Sequence, residues 1–328
     1  MSWESTDAAC GAAPMQAAVP VKIIVMMFAR LVIGWDGTDQ ARDALALATL
    51  LRAPDGVATA VCVVPSTGPG RGAELEEIMR TQAREDADEA LAGVRESWLE
   101  TAAVAADSAA QGLDAFAEST QADLIVVGSS HHGMLGQVVT GSVGRRLLHG
   151  APCAVAVAPK GLRERSGASG VVGAAYDGSL ESARALVEAR RHCDNTGAKL
   201  KIVAAVPPLD VWADDSLYRP RHTPAEIAEY RRAKFARMLE DAASPLVDEL
   251  AAKTILVEGR AADVIVQEAR KGMDLLFLGS RAYGGLRRAI AGSTAAEVMR
   301  RSPCPVVVIP RGATVRAASH STSAAAAT

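Results

Sequence analysis

Two glycine-bearing stretches carry residues whose types and spacing could hold an anion. Gly128 is followed thirteen positions later by Gly141, then Ser142 and Val143; Gly279 is followed at the same spacing by Gly292, Ser293 and Thr294. Glycine lets a backbone approach a phosphate closely, and a helix starting at the second glycine offers free N–H groups and the positive end of its dipole. In each half an aspartate, Asp36 or Asp177, ends an apolar run and opens an Asp-Gly-Thr or Asp-Gly-Ser triplet. Such an aspartate can touch a ligand or cap the turn that follows, and spacing leaves both roles open.

Other chemistries find less support. The chain has no Walker A sequence, and the segment around Ser142 reads TGSVG, which is not the G-x-S-x-G turn of an acyl-transfer nucleophile. His131 and His132 are adjacent on a loop and do not converge, and no Cys/Asp/Glu cluster has ligand spacing, so no metal is expected beyond magnesium carried by a nucleotide. Cys153 and Cys304 hold equivalent strand positions and are expected in the core. The pairs Arg145-Arg146 and Arg287-Arg288 either face phosphates or belong to a helix surface. Nothing supplies a general base beside a bound phosphate, so fast hydrolysis is not expected.

The elements that must position these residues follow from an internal repeat. LVIGWDGT from Leu31 matches VGAAYDGS from Val172 at an offset of 141, whereas DLIVVGSS from Asp123 matches DLLFLGSR from Asp274 at an offset of 151. APCAVAVAP from Ala151 matches SPCPVVVIP from Ser302 at that same offset of 151. The difference implies a ten-residue insertion in the second copy, assigned to the Pro-rich, aperiodic stretch from Pro207 to Pro224. Two domains are thereby predicted over 27–160 and 171–311, joined by a linker over 161–170. An extension over 1–26 and a tail over 312–328 are expected to be disordered.

In each copy short apolar runs alternate with helical periodicity, which is the pattern of βαβ units. The fold class predicted is α/β, with two tandem Rossmann-like domains, each a five-stranded parallel sheet flanked by helices. In the first copy strands are predicted at Leu31–Trp35, Val57–Val64, Leu99–Ala105, Leu124–Val127 and Cys153–Ala158. Helices are predicted with a buried stripe at Ala41, Ala44, Leu45, Ala48 and Leu51, then over 73–97, 109–119 and 142–149. Ligands of such sheets bind beyond the carboxyl ends of the strands where strand order reverses. That point lies between strands one and four, at Asp36 and Gly128, and an adenine nucleotide is the natural ligand.

At these residues the chain resembles the universal stress protein superfamily in its tandem, two-domain form. That family carries G-x2-G-x9-G-S/T after strand four and an aspartate after strand one, and both copies show the frame. The resemblance spans nearly all of residues 27–311, including the Pro-Cys before strand five. It implies that Gly34 and Asp36 lie at ribose or adenine, that Val63 meets adenine through its backbone, and that Gly128, His131, Gly141, Ser142 and Val143 surround the phosphates. In the second copy Asp177, Val206, Gly279, Ala282, Gly292, Ser293 and Thr294 take these places. His131 and Ala282 stand where the family has its second glycine, and Ala175 stands where the first copy has Gly34. A left-handed backbone at the second glycine would cost a non-glycine residue about 1–2 kcal/mol. The resemblance implies an ATP-binding stress-response regulator; the alternatives are an interaction module with degenerate sites and a slow ATPase. It also implies antiparallel pairing of Val155–Val157 with Val306–Val308, an internal pseudo-dimer, with a homodimer as a further expectation.

Composition narrows the setting. Apolar residues are 49% and charged residues 22% of the chain, a globular balance, and the net charge of −3 leaves no basic footprint for nucleic acid or anionic lipid. Five cysteines, odd in number and without a C-x-x-C pair, fit a reducing, cytoplasmic compartment. Pro20, Lys22 and Arg30 interrupt the apolar stretch from Val19 to Ile33, so no spanning helix is expected. The first 18 residues lack the basic start of a secretory signal. Met26 and Met27, just before the first strand, are candidate translation starts.

Overall fold

The computed structural model describes residues 28–66, 73–94, 96–130, 138, 141–148, 150–165, 170–208, 223–250, 252–280 and 293–311. The expectations for 1–26 and 312–328 lie outside them. The first unit runs β1 (Phe28–Gly34), α1 (Asp39–Leu51), β2 (Arg52–Pro65), α2 (Ala73–Ala92), β3 (Leu99–Ala106), α3 (Ala109–Ser119), β4 (Leu124–Gly128), α4 (Ser142–Leu147) and β5 (Ala154–Ala158). The second runs β6 (Val171–Ala175), α5 (Leu180–Thr196), β7 (Lys199–Val206), α6 (Pro224–Leu250), β8 (Lys253–Glu258), α7 (Ala261–Arg270), β9 (Leu275–Ser280), α8 (Ser293–Arg301) and β10 (Val306–Pro310). The ten-residue difference falls where assigned, since 207–223 joins β7 to α6 where 66–72 joins β2 to α2.

The strands form one sheet in the order β3-β2-β1-β4-β5-β10-β9-β6-β7-β8. Each half is parallel, as predicted, and the halves join through antiparallel β5 and β10, with Val155 opposite Val308 and Val157 opposite Val306. Period-two alternation sends neighbouring residues to opposite faces. Leu124 and Val126 enter one apolar cluster with α1, α5 and α6, while Ile125 and Val127 enter another with α3, α4, α7 and α8. Both clusters continue across the β5–β10 seam, so two core layers serve both units. Cys153 and Cys304 are 1% exposed within the second layer. Among the described residues no helix is long and apolar enough to cross a membrane.

Long-range bonds set several boundaries. The buried stripe of α1 uses Leu47 in place of the predicted Leu45, and it also carries Asp43, which is 2% exposed. The Asp43 carboxylate accepts from Gly161 N at 2.7 Å and Arg163 N at 3.0 Å, so the start of the predicted linker is a helical turn (Leu162–Glu164) docked on α1. The residue after the helix, Arg52, already belongs to β2, earlier than the predicted Val57. Its guanidinium donates to the carbonyls of Ala53, Pro54 and Gly56 and lies 4.5 Å from the centre of the Trp98 ring, holding the register shift between Phe28 and Arg30. α2 ends at Ala92, five residues before the predicted Ser97.

Candidate functional site

The crevice is made by strands of unequal reach. The β1 ladder ends with Gly34 beside Val61 on one side and Ile33 beside Val126 on the other, while β2 runs on to Pro65 and β4 to Gly128. Past the end of β1 the chain turns at Asp36-Gly37-Thr38, leaving a gap between β2 and β4 at the point where strand order reverses. The second unit repeats this: Ala175 pairs Val203 and Leu278, and β7 continues to Val206. These registers make Ala205 the equivalent of Val63, and Val206 the equivalent of Val64, a one-residue correction to the sequence pairing.

The aspartates hold their own turns. Asp36 Oδ1 accepts from Thr38 N at 3.1 Å and from Thr38 Oγ1; Asp177 Oδ1 accepts from Ser179 N at 3.0 Å and Ser179 Oγ at 2.6 Å. Thr38 and Ser179 then cap α1 and α5, accepting from Ala41 N and Ser182 N. Gly37 and Gly178 sit at φ +74° and +80°, which an L-residue with a side chain rarely adopts. Capping is thus the role the geometry displays, on an exposed carboxylate at the mouth of the crevice. Thr38→Ala should cost about 1 kcal/mol through loss of the cap, read as a lowered urea midpoint. An unchanged midpoint would mean the cap contributes nothing.

The glycines of the frame differ in why they are glycine. A Cβ on Gly128 would lie 2.3 Å from Gln40 O, and one on Gly279 would lie 2.4 Å from Glu181 C and Ser182 N, so both admit the first turn of the neighbouring helix. Among the described residues a Cβ on Gly141 would meet Ser130 alone, at 3.4 Å, an ordinary contact, and its φ of −66° suits any residue. Packing among the described residues gives no reason for glycine at 141. Gly34 is intermediate, with Leu113 Cδ1 at 3.1 Å and Val127 Cγ1 at 3.2 Å from a built Cβ.

Gly141 caps α4 without a side-chain bond and returns the chain to Ser130, two residues past Gly128. Ser142 is exposed, and Val143 packs partly buried against the apolar layer. In the second unit Ser293 is exposed and Thr294 half-buried at the start of α8. Val63 packs against Gly112 of α3. His131, Ala282 and Gly292 lie outside the described residues. Two groups escaped the sequence reading. Ser129, 4% exposed at the end of β4, has an Oγ with no hydrogen-bond partner among the described residues. Its only sequence signal is that serine follows the first glycine in both copies, as Ser129 and Ser280. Asp123 and Asp274, repeated before β4 and β9, clamp the starts of β1 and β6 by accepting from Ala29 N and Arg30 N, and from Gly170 N and Val171 N.

Fold and crevice define a tandem, doubly wound α/β protein with an open switch point in each unit. The chain belongs to the universal stress protein family, whose profile matches residues 27–159 and again 170–310. A universal stress protein of Bacillus subtilis is 31% identical over 140 residues, covering 41% of this chain and 95% of the relative. One from Mycobacterium tuberculosis is 26% identical over 208 residues, covering 62% of this chain and 69% of the relative. A solved universal stress protein from Archaeoglobus fulgidus, 21% identical, shares the fold with a TM-score of 0.58 over 86% of this chain and 98% of its own.

Proposed function

We propose that the chain is a stress-response regulatory protein that binds ATP or a related adenine nucleotide in the crevice between β1 and β4, and in its counterpart between β6 and β9. The observation that carries this reading is Gly141, a glycine that neither φ nor packing among the described residues demands, at the start of a helix facing the end of β4. A phosphate against that backbone would supply the demand. The Ser129 hydroxyl beside Gly128, without a hydrogen-bond partner among the described residues, fits the same ligand, since buried polar groups are ordinarily hydrogen-bonded. Gly128, Ser142 and Val143 would complete the phosphate end, with Asp36 and Val63 toward the nucleoside and any magnesium carried by the nucleotide. The function is then binding, with partner choice downstream of it.

Calorimetry with MgATP on the full chain tests this. Gly141→Val should weaken binding by at least about tenfold, or 1.4 kcal/mol, while its melting temperature without nucleotide stays close to that of the parent. Absence of binding at millimolar ATP would overturn the reading and favour the second one, an interaction module whose sites have decayed. His131 and Ala282, where the family pattern has glycine, are the observation behind that alternative.

A further inference from the structure

The sheet ends on β3, and among the described residues no strand pairs with its outer edge. Trp98 O accepts from Ala58 N at 3.4 Å and Ala106 O accepts from Ser66 N at 2.9 Å, so the even-numbered residues of β3 turn their backbone groups to β2. By alternation Thr101, Ala103 and Ala105 turn theirs outward, and all three are exposed. Glu100 is the one charge in the strand, and neither lysine nor proline blunts the edge. Beside this edge lies a groove. Gly112 seats α3 against β2, since a Cβ there would lie 2.7 Å from Val63 Cγ1. The flank of β3 is left with a cavity of about 430 Å³, lined by Val104, Ala106, Ala115 and Phe116, with Asp107 and Ser119 at either end of α3. No lysine or arginine lines it. The carboxylates beside it, Glu100, Asp107 and Glu118, are exposed, and Ser66 Oγ donates to Asp107 Oδ1.

We propose that this groove binds an extended segment of a partner protein, which adds to β3 as a further strand. The outward N–H and C=O groups of Thr101, Ala103 and Ala105 supply the main-chain bonds, and the cavity takes the apolar side chains of alternate residues. Lysine or arginine at the ends of the segment meets the carboxylates. A second copy of this chain is the poorer occupant. Laid antiparallel, its β3 would bring a second Glu100 to the Asp107 end of the first, and like charges across a strand pair are destabilising. The surface lies on the other side of β2 from the nucleotide crevice and stands without the nucleotide reading.

A phage library of random heptamers panned on the full chain should enrich sequences that alternate apolar residues and carry lysine or arginine at an end. Fluorescence polarisation then follows the best of them as a synthetic peptide. Ala103→Pro removes an outward N–H at a position where an edge strand accepts proline, and Ala115→Arg fills the groove from an exposed site on α3. Each should raise the dissociation constant at least about tenfold, with circular dichroism unchanged. Methylating the alternate amides of the peptide that face β3 should do the same. Should Ala103→Pro fail to fold, Ala115→Arg and the methylated peptide decide. No enriched sequence, enrichment of acidic sequences, or equal binding by parent, variants and methylated peptide overturns the proposal. So does a dimer of the parent in sedimentation velocity that Ala103→Pro disperses, since a second copy would then hold the edge.

Discussion

Gly128→Ala and Gly279→Ala are each expected to destabilise the chain by about 3 kcal/mol, lowering Tm by roughly 6–12 °C, whereas Gly141→Ala should leave Tm within about 2 °C of the parent. The three positions look alike in sequence, as the ends of two matched glycine frames. The atoms that an added methyl group would meet separate them. At Gly128 the neighbours are the carbonyl oxygen and carbon of Gln40, at 2.3 and 2.6 Å; at Gly279 they are Glu181 C and Ser182 N, both at 2.4 Å. These are backbone atoms in the first turns of α1 and α5, which are capped by Thr38 and Ser179 and cannot swing aside as a flexible side chain would. Relief requires shifting the helix against the sheet, and both helices carry much of the apolar layer on that face. At Gly141 the nearest atom among the described residues would be Ser130 Cβ at 3.4 Å. Thermal melts of the three variants decide the matter; equal Tm values for Gly128→Ala and Gly141→Ala would show that α1 yields. The contrast also separates two meanings of a family glycine: the first of the frame is needed to build the crevice, and the last is available to use it.

How far the sequence specified this arrangement depends on where the deciding contacts lie. The strands β4 and β5 and the helix α3 are legible because their signals are local: continuous apolar runs for the strands, and Ser108 capping Gln111 N at the head of α3. The join of β5 to β10 comes from the family resemblance, in which strand five is an edge strand, and an exposed edge needs such cover. The start of β2 is not, because Pro54-Asp55-Gly56 reads as a turn until the Arg52 guanidinium is seen bridging three carbonyls there. The docked turn at Leu162 is invisible for the same reason, since Asp43 reaches it from more than a hundred residues away. At the candidate site the glycines and aspartates are found by spacing, but spacing could not assign Asp36 to its turn or Gly128 to Gln40. Ser129 carries no signal beyond the serine repeated after the first glycine, and burial of a hydroxyl with no hydrogen-bond partner among the described residues brings it out.

Replacing Glu188 with glutamine should change the pH dependence of stability, and His192→Gln should change it in the opposite direction over nearly the same range. Both residues lie on the inner face of α5, 2% and 1% exposed. Burial pushes the Glu188 carboxyl up to about 7, against the pull of Arg191, which donates to its Oε1 at 2.7 Å; nearby Asp123, in the first unit, pushes the same way as burial. The other oxygen, Oε2, is buried with no hydrogen-bond partner among the described residues. Burial lowers the His192 imidazole to about 4. Asp123 is itself raised to about 6 by burial, although Ala29 N and Arg30 N favour its charged form.

A carboxyl raised from 4.5 to about 7 binds a proton in the folded chain that the unfolded chain has released, so its stabilisation is full below pH 4.5 and is lost as pH rises to 7. A histidine lowered from 6.5 to about 4 does the reverse: the unfolded chain takes up the proton first, so stability falls as pH drops from 6.5 to 4. In the overlap the two offset one another, and the parent hides both. The stability of Glu188→Gln relative to the parent should therefore climb between pH 4.5 and 7 by up to about 3 kcal/mol and then level off. That of His192→Gln should climb by a similar amount, up to about 3 kcal/mol, as pH is lowered from 6.5 to 4. Urea unfolding at half-unit pH steps measures both differences, and curves parallel to the parent across the range would mean that neither group titrates abnormally in the folded chain. Because Asp123 acts on Glu188 from the other unit, Asp123→Asn should shorten the climb seen with Glu188→Gln. That third curve tells whether the buried charge on α5 is felt across the seam.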